Sequence, residues 1–294
     1  MKWKNILMNN INGVLVINKQ SNCTSRDVVN TICKKFNTRK VGHTGTLDPM
    51  ATGVLVLCIG NGLKICELLT NHDKEYIAKV ILGIDTDMLD ITGKILHEED
   101  VYIPKSKIRE CVNSFKGEYL QEVPIYSSVK VNGKKLYEYA RNGENVELPK
   151  RIVSIKDIEV MSPIEYKNGK IEFYIKTCVS KGTYIRSLIR DIASKLGTYG
   201  IMGSLERTRQ GNFKLEDSYS LEDIDNNNYK ILSISESLPD IEKIKVNDDM
   251  LKKIKNGVRL KKFFDSDYAI ILDNDKEIAI YQNKDDLSIP YRVF

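Results

Sequence analysis

A single carboxylate, Asp48, stands in the stretch VGHTGTLDPMATG (residues 41–53), among glycines, threonines and a proline, just before the apolar run VLVLCIG. Asp before Pro is ordinary turn chemistry, and a surface turn would account for it. A catalytic loop would account for more, because a carboxylate can act as a covalent nucleophile. Pro49 biases Asp48 toward an extended backbone and so helps to aim its side chain. An arginine beside it would keep it ionised through a two-point pair and lower its pKa; Arg186, at the first turn of a predicted helix, carries that chemistry. A tyrosine can stack on a planar substrate and take or relay a proton, and Tyr76 heads the apolar face of a predicted strand. Such a trio suits work on a nucleobase swung out of its stack. Spacing alone does not bring the three together.

Other chemistries find no support. GHTG (42–45) and GNG (60–62) fit neither the Rossmann nor the P-loop spacing, and there is no GxSxG elbow, so no nucleotide cofactor is expected. Cys23, Cys33, Cys58, Cys66, Cys111 and Cys178 are scattered without a CxxC pair, which suggests reduced, buried thiols. His43, His72 and His97 lack metal-ligand spacing. The acidic turn DTDMLDITG (85–93) resembles half of a calcium loop, but Leu89 stands where that loop needs an oxygen ligand. No metal is expected.

The elements that must position these residues can be read from periodicity. INGVLVINKQ (11–20) reads as an apolar strand ending at Lys19. Thr24 and Asp27 have capping-box spacing ahead of Val28, Val29, Ile32 and Phe36 at helical intervals. GVLVLCIG (53–60) has the composition of a buried strand, so Asp48 lies on a loop leading into the core. From Lys74 the pattern alternates, with Tyr76, Ala78, Val80, Leu82 and Ile84 on one face. Residues 104–115 look helical, 124–143 read as a basic loop with aromatic residues, and Ile171–Val179 alternate as a strand. SKGTYIRSLIRDIASKLG (180–197) carries a stripe of Ile185, Leu188, Ile189, Ile192 and Leu196, with Gly197 as its stop. The chain turns polar around 225–228, a predicted surface connection. AIILDNDKEIAIYQ (269–282) reads as a hairpin centred on Asn274 and Asp275.

With 294 residues, 41% hydrophobic and 29% charged, the chain has the composition of a folded protein with room for one large domain and a small one, 1–240 and 241–294. No apolar run approaches a membrane span of roughly 20 residues, and the amino terminus lacks a small-residue cleavage site, so a cytoplasmic protein is expected. The net charge of +5 is unevenly spread. Residues 128–151 carry six basic against three acidic side chains, and residues 243–262 eight against two. Concentrated positive charge suits a polyanion such as nucleic acid, although Lys-rich helix faces are also commonly just solvated.

Five segments, GHTGTLDPMATGVL (42–55), KEY (74–76), YSSVKVNGKKLYEYAR (126–141), SKGTYIRSLIRDI (180–192) and LERTRQGNF (205–213), resemble in order the successive motifs of the TruB family of bacterial tRNA pseudouridine-55 synthases. The resemblance implies an α+β fold: a mixed, largely antiparallel sheet forming a pseudouridine synthase catalytic domain, with the catalytic loop in a cleft between sheet halves, and a small C-terminal β domain of PUA-like type. It implies isomerisation of uridine 55 in the T arm of tRNA without a cofactor or a required protein partner. Asp48 matches the essential aspartate, Tyr76 the tyrosine packed on the uracil and placed to remove the carbon 5 proton, and Arg186 the arginine that pairs with the aspartate. His43 matches the residue filling the space left by the flipped base, Leu205 an apolar residue of the uracil pocket, and Tyr126 and Lys130 fall in a substrate-binding segment. Lys19 matches the lysine of the family's DKP motif, which here reads NKQ; VPIYSSVK (123–130) likewise departs from a family pattern that has two prolines and a Met before the tyrosine.

Overall fold

The computed structural model describes residues 11–294; the absence of a cleavage site read at the amino terminus falls mainly on residues 1–10, outside the described residues. The chain opens with β1 (Gly13–Lys19), α1 (Ser25–Lys35), β2 (Val41–His43) and β3 (Thr52–Ile59), then α2 (Cys66–Thr70) and β4 (Lys74–Leu82). A hairpin of β5 (Ile84–Thr86) and β6 (Ile95–Glu98) leads to α3 (Lys105–Asn113) and β7 (Gly117–Glu122). Next come β8 (Lys130–Val131), β9 (Lys134–Lys135) and α4 (Leu136–Asn142). After β10 (Lys150–Val160), β11 (Glu165–Lys167) and β12 (Lys170–Val179), α5 (Ile185–Leu196) returns the chain to β13 (Gly200–Gln210) and β14 (Phe213–Lys214). Two short helices, α6 (Leu221–Asp225) and α7 (Ile234–Ser237), precede β15 (Glu242–Lys245), α8 (Asp248–Lys255) and β16 (Leu260–Lys261). The last strands are β17 (Tyr268–Asp273), β18 (Lys276–Lys284) and β19 (Leu287–Val293).

Local chemistry explains the boundaries that matter for the site. Thr24 caps α1 with the expected reciprocal box to Asp27, a device that contributes about 1 kcal/mol. Gly197, left-handed at φ +79, stops α5 after the buried stripe Ile185, Leu188, Ile189, Ile192 and Leu196. Strand β4 ends at Leu82, two residues before its alternation suggests: Gly83, at φ +95, turns the chain, and Ile84 belongs to β5.

Ten strands form one sheet whose main path runs β1-β3-β13-β4-β12-β10-β7, with β2, β11 and β14 at its sides. Its ladders are antiparallel except that between β13 and β3, which is parallel and holds only two pairs, Glu206 with Thr52 and Arg207 with Gly53. Two antiparallel halves meet at this narrow junction, and the loop carrying Asp48 ends on it. The register then draws one row across five strands: Lys19 opposite Gly53, Gly53 opposite Arg207, Arg207 opposite Tyr76 and Tyr76 opposite Thr177. On one side of the sheet α1, α3 and α5 cover an apolar core that includes Val28, Ile32, Ile108, Leu188 and Ile192.

One segment differs from its sequence-based expectation. Residues 124–143 are not a plain loop but a two-residue hairpin and a helix, tied together by Leu136 N–H to Val129 O and Tyr137 N–H to Ser127 O. The polar connection at 225–228 is exposed, as expected, and the chain on either side of it returns to the large sheet, with Leu232 exchanging backbone hydrogen bonds with Val14 and Tyr219 with Val16 and Asn18. Beyond it a five-stranded sheet, β15-β17-β18-β19-β16, contains the expected hairpin with Asn274 at φ +54. Its Ile270 and Ile280 share an apolar cluster with Val14, Val16, Val54 and Val56, so the small sheet leans on the back of β1 and β3.

Candidate active site

The loop 44–51 is pinned from several sides before its side chain does anything. The Leu47 N–H donates to Ser25 Oγ at 2.9 Å, at the start of α1, and the Ala51 N–H to Asp48 O at 3.0 Å. Lys19, fully buried, donates from Nζ to Pro49 O at 3.1 Å and Ala51 O at 2.6 Å. Arg207 donates from Nε to Val54 O at 2.6 Å and from Nη2 to Gly45 O at 3.1 Å. Thr44 is held by Gln210 Nε2. A loop tied down by buried donors holds its carboxylate in one place.

That carboxylate meets a guanidinium. Arg186, in the first turn of α5, donates from Nη2 to Asp48 Oδ1 at 3.2 Å, and its Nε lies 3.1 Å from Oδ2. The arginine side chain is 5% exposed and is itself fixed by Met88 O at 3.0 Å and Tyr126 O at 3.0 Å. The Asp48 side chain keeps 32% of its surface open. Burial in the cleft raises its pKa above the ordinary carboxylate value, with Asp90 adding to the rise and Arg186 and Lys19 opposing it. The arginine was expected to lower this pKa; desolvation outweighs it.

Above the pair lies a cavity of about 340 Å³, within the range of small-molecule clefts, lined by Asp48, Tyr76, Tyr126, Arg186 and Leu205 among others. Tyr76 is contributed by the centre of the sheet and Leu205 by the neighbouring strand β13, two residues before Arg207 on the same face. The Tyr76 hydroxyl has no hydrogen-bond partner among the described residues. Five of the eight residues singled out from sequence therefore converge on one cavity.

The other three stand elsewhere. Lys19 lies beneath the loop and supports its backbone rather than lining the cavity. His43 closes β2, half-buried, with Nδ1 lacking a partner and its pKa lowered by burial and then by Arg207 and Arg26. Lys130 is exposed on the β8–β9 hairpin. Sequence reasoning missed Lys74 and Arg207, which also line the cavity. The signal was available: in a strand, Lys74 shares a face with Tyr76, and Arg207 with Leu205. The six cysteines are free, with Cys58 and Cys111 buried and the rest half-buried. Among the described residues no helix is long and apolar enough to cross a membrane.

The site thus sets a carboxylate–guanidinium pair beneath a cleft at the junction of two antiparallel sheet halves. The fold is shared with a chain in a structure of an H/ACA RNP bound to a substrate RNA containing 2′-deoxyuridine, at a TM-score of 0.69 and 23% identity over 96% of this chain and 84% of that one. Residues 33–185 match the family model for the N-terminal domain of TruB family pseudouridylate synthases, and residues 186–241 that for the C-terminal domain of tRNA pseudouridylate synthase B. The chain is 44% identical over 281 residues to a tRNA pseudouridine synthase B of Clostridium tetani, covering 92% of this chain and 96% of that protein. It is 43% identical over 286 residues to one of Staphylococcus aureus, covering 92% and 94%. The chain belongs to the TruB family of pseudouridylate synthases.

Proposed function

We propose that this enzyme converts a uridine in the T arm of tRNA, position 55, to pseudouridine, with Asp48 as its nucleophile. The observation that carries this reading is the Arg186-clasped Asp48, open on one side to a cavity with Tyr76 and Leu205 on its walls. The reaction breaks the bond between N1 of uracil and C1′ of the ribose and forms one between C5 and C1′. The proton leaves C5 and N1 gains one, so no redox partner enters. Asp48 acts on the nucleoside while the glycosidic bond is open, and Arg186 keeps it charged and aimed. Tyr76 packs on the detached ring and takes the C5 proton through its unpartnered hydroxyl. Leu205 supplies an apolar wall, and Tyr126 lines the cavity from the segment whose backbone Arg186 grips.

The target base must leave its stack to reach this depth, and His43 fills the place it vacates. Lys19 serves by fixing the loop, and Lys130 on the exposed hairpin contacts the RNA backbone. Residues 1–240 form the catalytic unit, and 241–294, with the basic helix α8, a small RNA-binding unit. The alternative is a module that only binds tRNA, and a half-buried carboxylate held open to a cleft would be a cost without use there. Incubation with unmodified tRNA followed by chemical mapping of pseudouridine tests the reading. Product at position 55 is expected; product at another position refutes the site, and none at any uridine refutes the enzyme.

A further inference from the structure

One wall of the cavity is cationic. Lys74 reaches it from β4, Arg207 from β13 and Lys181 from the turn before α5. Lys74 is 6% exposed and Arg207 1%, yet among the described residues neither has a carboxylate within ion-pair distance. Lys74 Nζ donates to Thr70 O and His72 O, each at 2.7 Å, and Lys181 Nζ to Asn71 Oδ1 at 2.7 Å. Arg207 spends Nε and Nη2 on the carbonyls of Val54 and Gly45. Its Nη1 has no acceptor among the described residues. Arg207 and Lys74 approach each other at Gly45, where a β-carbon would lie 3.4 Å from Arg207 Nη1, 3.8 Å from Gln210 Oε1 and 4.0 Å from Lys74 Cε, while the exposed Lys181 faces the same cavity. The one acid lining the cavity, Asp48, is already clasped by Arg186.

Buried cations without a counter-charge are costly, and a ligand that brings an anion relieves the cost. In RNA near neutral pH the bases and sugars are uncharged, and each nucleotide carries its one negative charge on the phosphodiester. We propose that Lys74, Arg207 and Lys181 form a phosphodiester subsite that takes a backbone phosphate flanking the target uridine, an inference that rests on the cavity being the site of that uridine. The subsite fixes the backbone while the base turns over Asp48.

The electrostatics agree. Burial pushes Lys74 down to about 8, with Arg207 from β13 and Lys181 from the turn adding to the fall and Asp73 opposing it; neighbouring His72 is itself lowered by burial and by Lys74. A phosphate beside Lys74 restores its proton affinity, so RNA binding takes up a proton and weakens as pH rises through that value.

The test uses an unmodified T-arm stem-loop and two versions with a neutral methylphosphonate in place of the phosphate on the 5′ or the 3′ side of the target uridine. Wild type loses about tenfold in affinity for one of the two, the scale of a lost charge-assisted hydrogen bond. Lys74→Met loses a similar factor on native RNA and nothing further on that same methylphosphonate. Losses that simply multiply for both methylphosphonates overturn the subsite. Lys74→Arg, which keeps the cation but does not titrate in this range, guards against a folding defect: between about pH 7 and about pH 9 its affinity stays level while that of wild type falls. Equal pH profiles overturn the subsite too. Pseudouridine formation by wild type on the native stem-loop is scored in the same samples. Product alongside multiplicative losses removes the subsite and leaves the enzymatic reading intact, whereas absence of product removes that reading.

Discussion

Arg186 grips Asp48 through two separate contacts, Nε to Oδ2 at 3.1 Å and Nη2 to Oδ1 at 3.2 Å, while the same guanidinium binds the carbonyls of Met88 and Tyr126. One side chain thus joins four parts of the molecule: the loop carrying Asp48, the turn after β5, the segment 124–149 and α5. A guanidinium can do this because its donors are fixed in a plane.

Lysine has no such plane. Arg186→Lys is expected to fold and to bind tRNA, but to lose about a hundredfold in the rate of a single turnover at saturating enzyme, since the carboxylate is no longer held in register with the nucleoside. A rate near that of the native enzyme would remove Arg186 from the working site.

The environment of Asp48 sets a pH limit. Burial raises its pKa above the ordinary 3.8, and in the proposed reaction Asp48 works in its charged form. The sign follows: activity is on its plateau above the raised value and falls as pH drops through it, so the acid limb lies at higher pH than for a solvated aspartate. A single-turnover pH profile checks this; a limb at or below the ordinary value would contradict it.

The junction between the two sheet halves depends on a missing side chain. Gly53 sits at φ +97, and a β-carbon there would come within 2.3 Å of the Arg207 carbonyl oxygen. Gly53→Ala is expected to lower unfolding free energy in urea by at least about 2 kcal/mol and to weaken activity through the displaced loop. Unchanged stability would mean that the two strands need not approach so closely.

How far the sequence speaks depends on the range of the interaction. Thr24 and Asp27 are three residues apart and announce the start of α1; the stripe from Ile185 to Leu196 announces α5, and Gly197 its end. These are local rules, and they held. Ile84 slipped out of its strand because Gly83 breaks a pattern that side-chain polarity alone continues. The hairpin and helix at 130–142 escaped because two-residue strands have no measurable period. The parallel contact of Arg207 with Gly53 joins residues far apart in the chain, which no periodicity reveals. Asp48, Tyr76 and Arg186 were legible as chemistry, and the family motifs placed them in order. Their convergence, the raised pKa of Asp48 and the position of Lys19 beneath the loop emerge only when burial is known.

The proposed reaction turns on the carboxylate of Asp48. Asp48→Asn keeps the size and the hydrogen-bonding shape of the side chain and removes its charge and nucleophilicity. The direct measurement is pseudouridine formed per tRNA by this variant in excess over substrate, with tRNA affinity measured in parallel. The expected result is native-like binding with no product at any uridine; substantial turnover would contradict the assignment of Asp48 as the nucleophile.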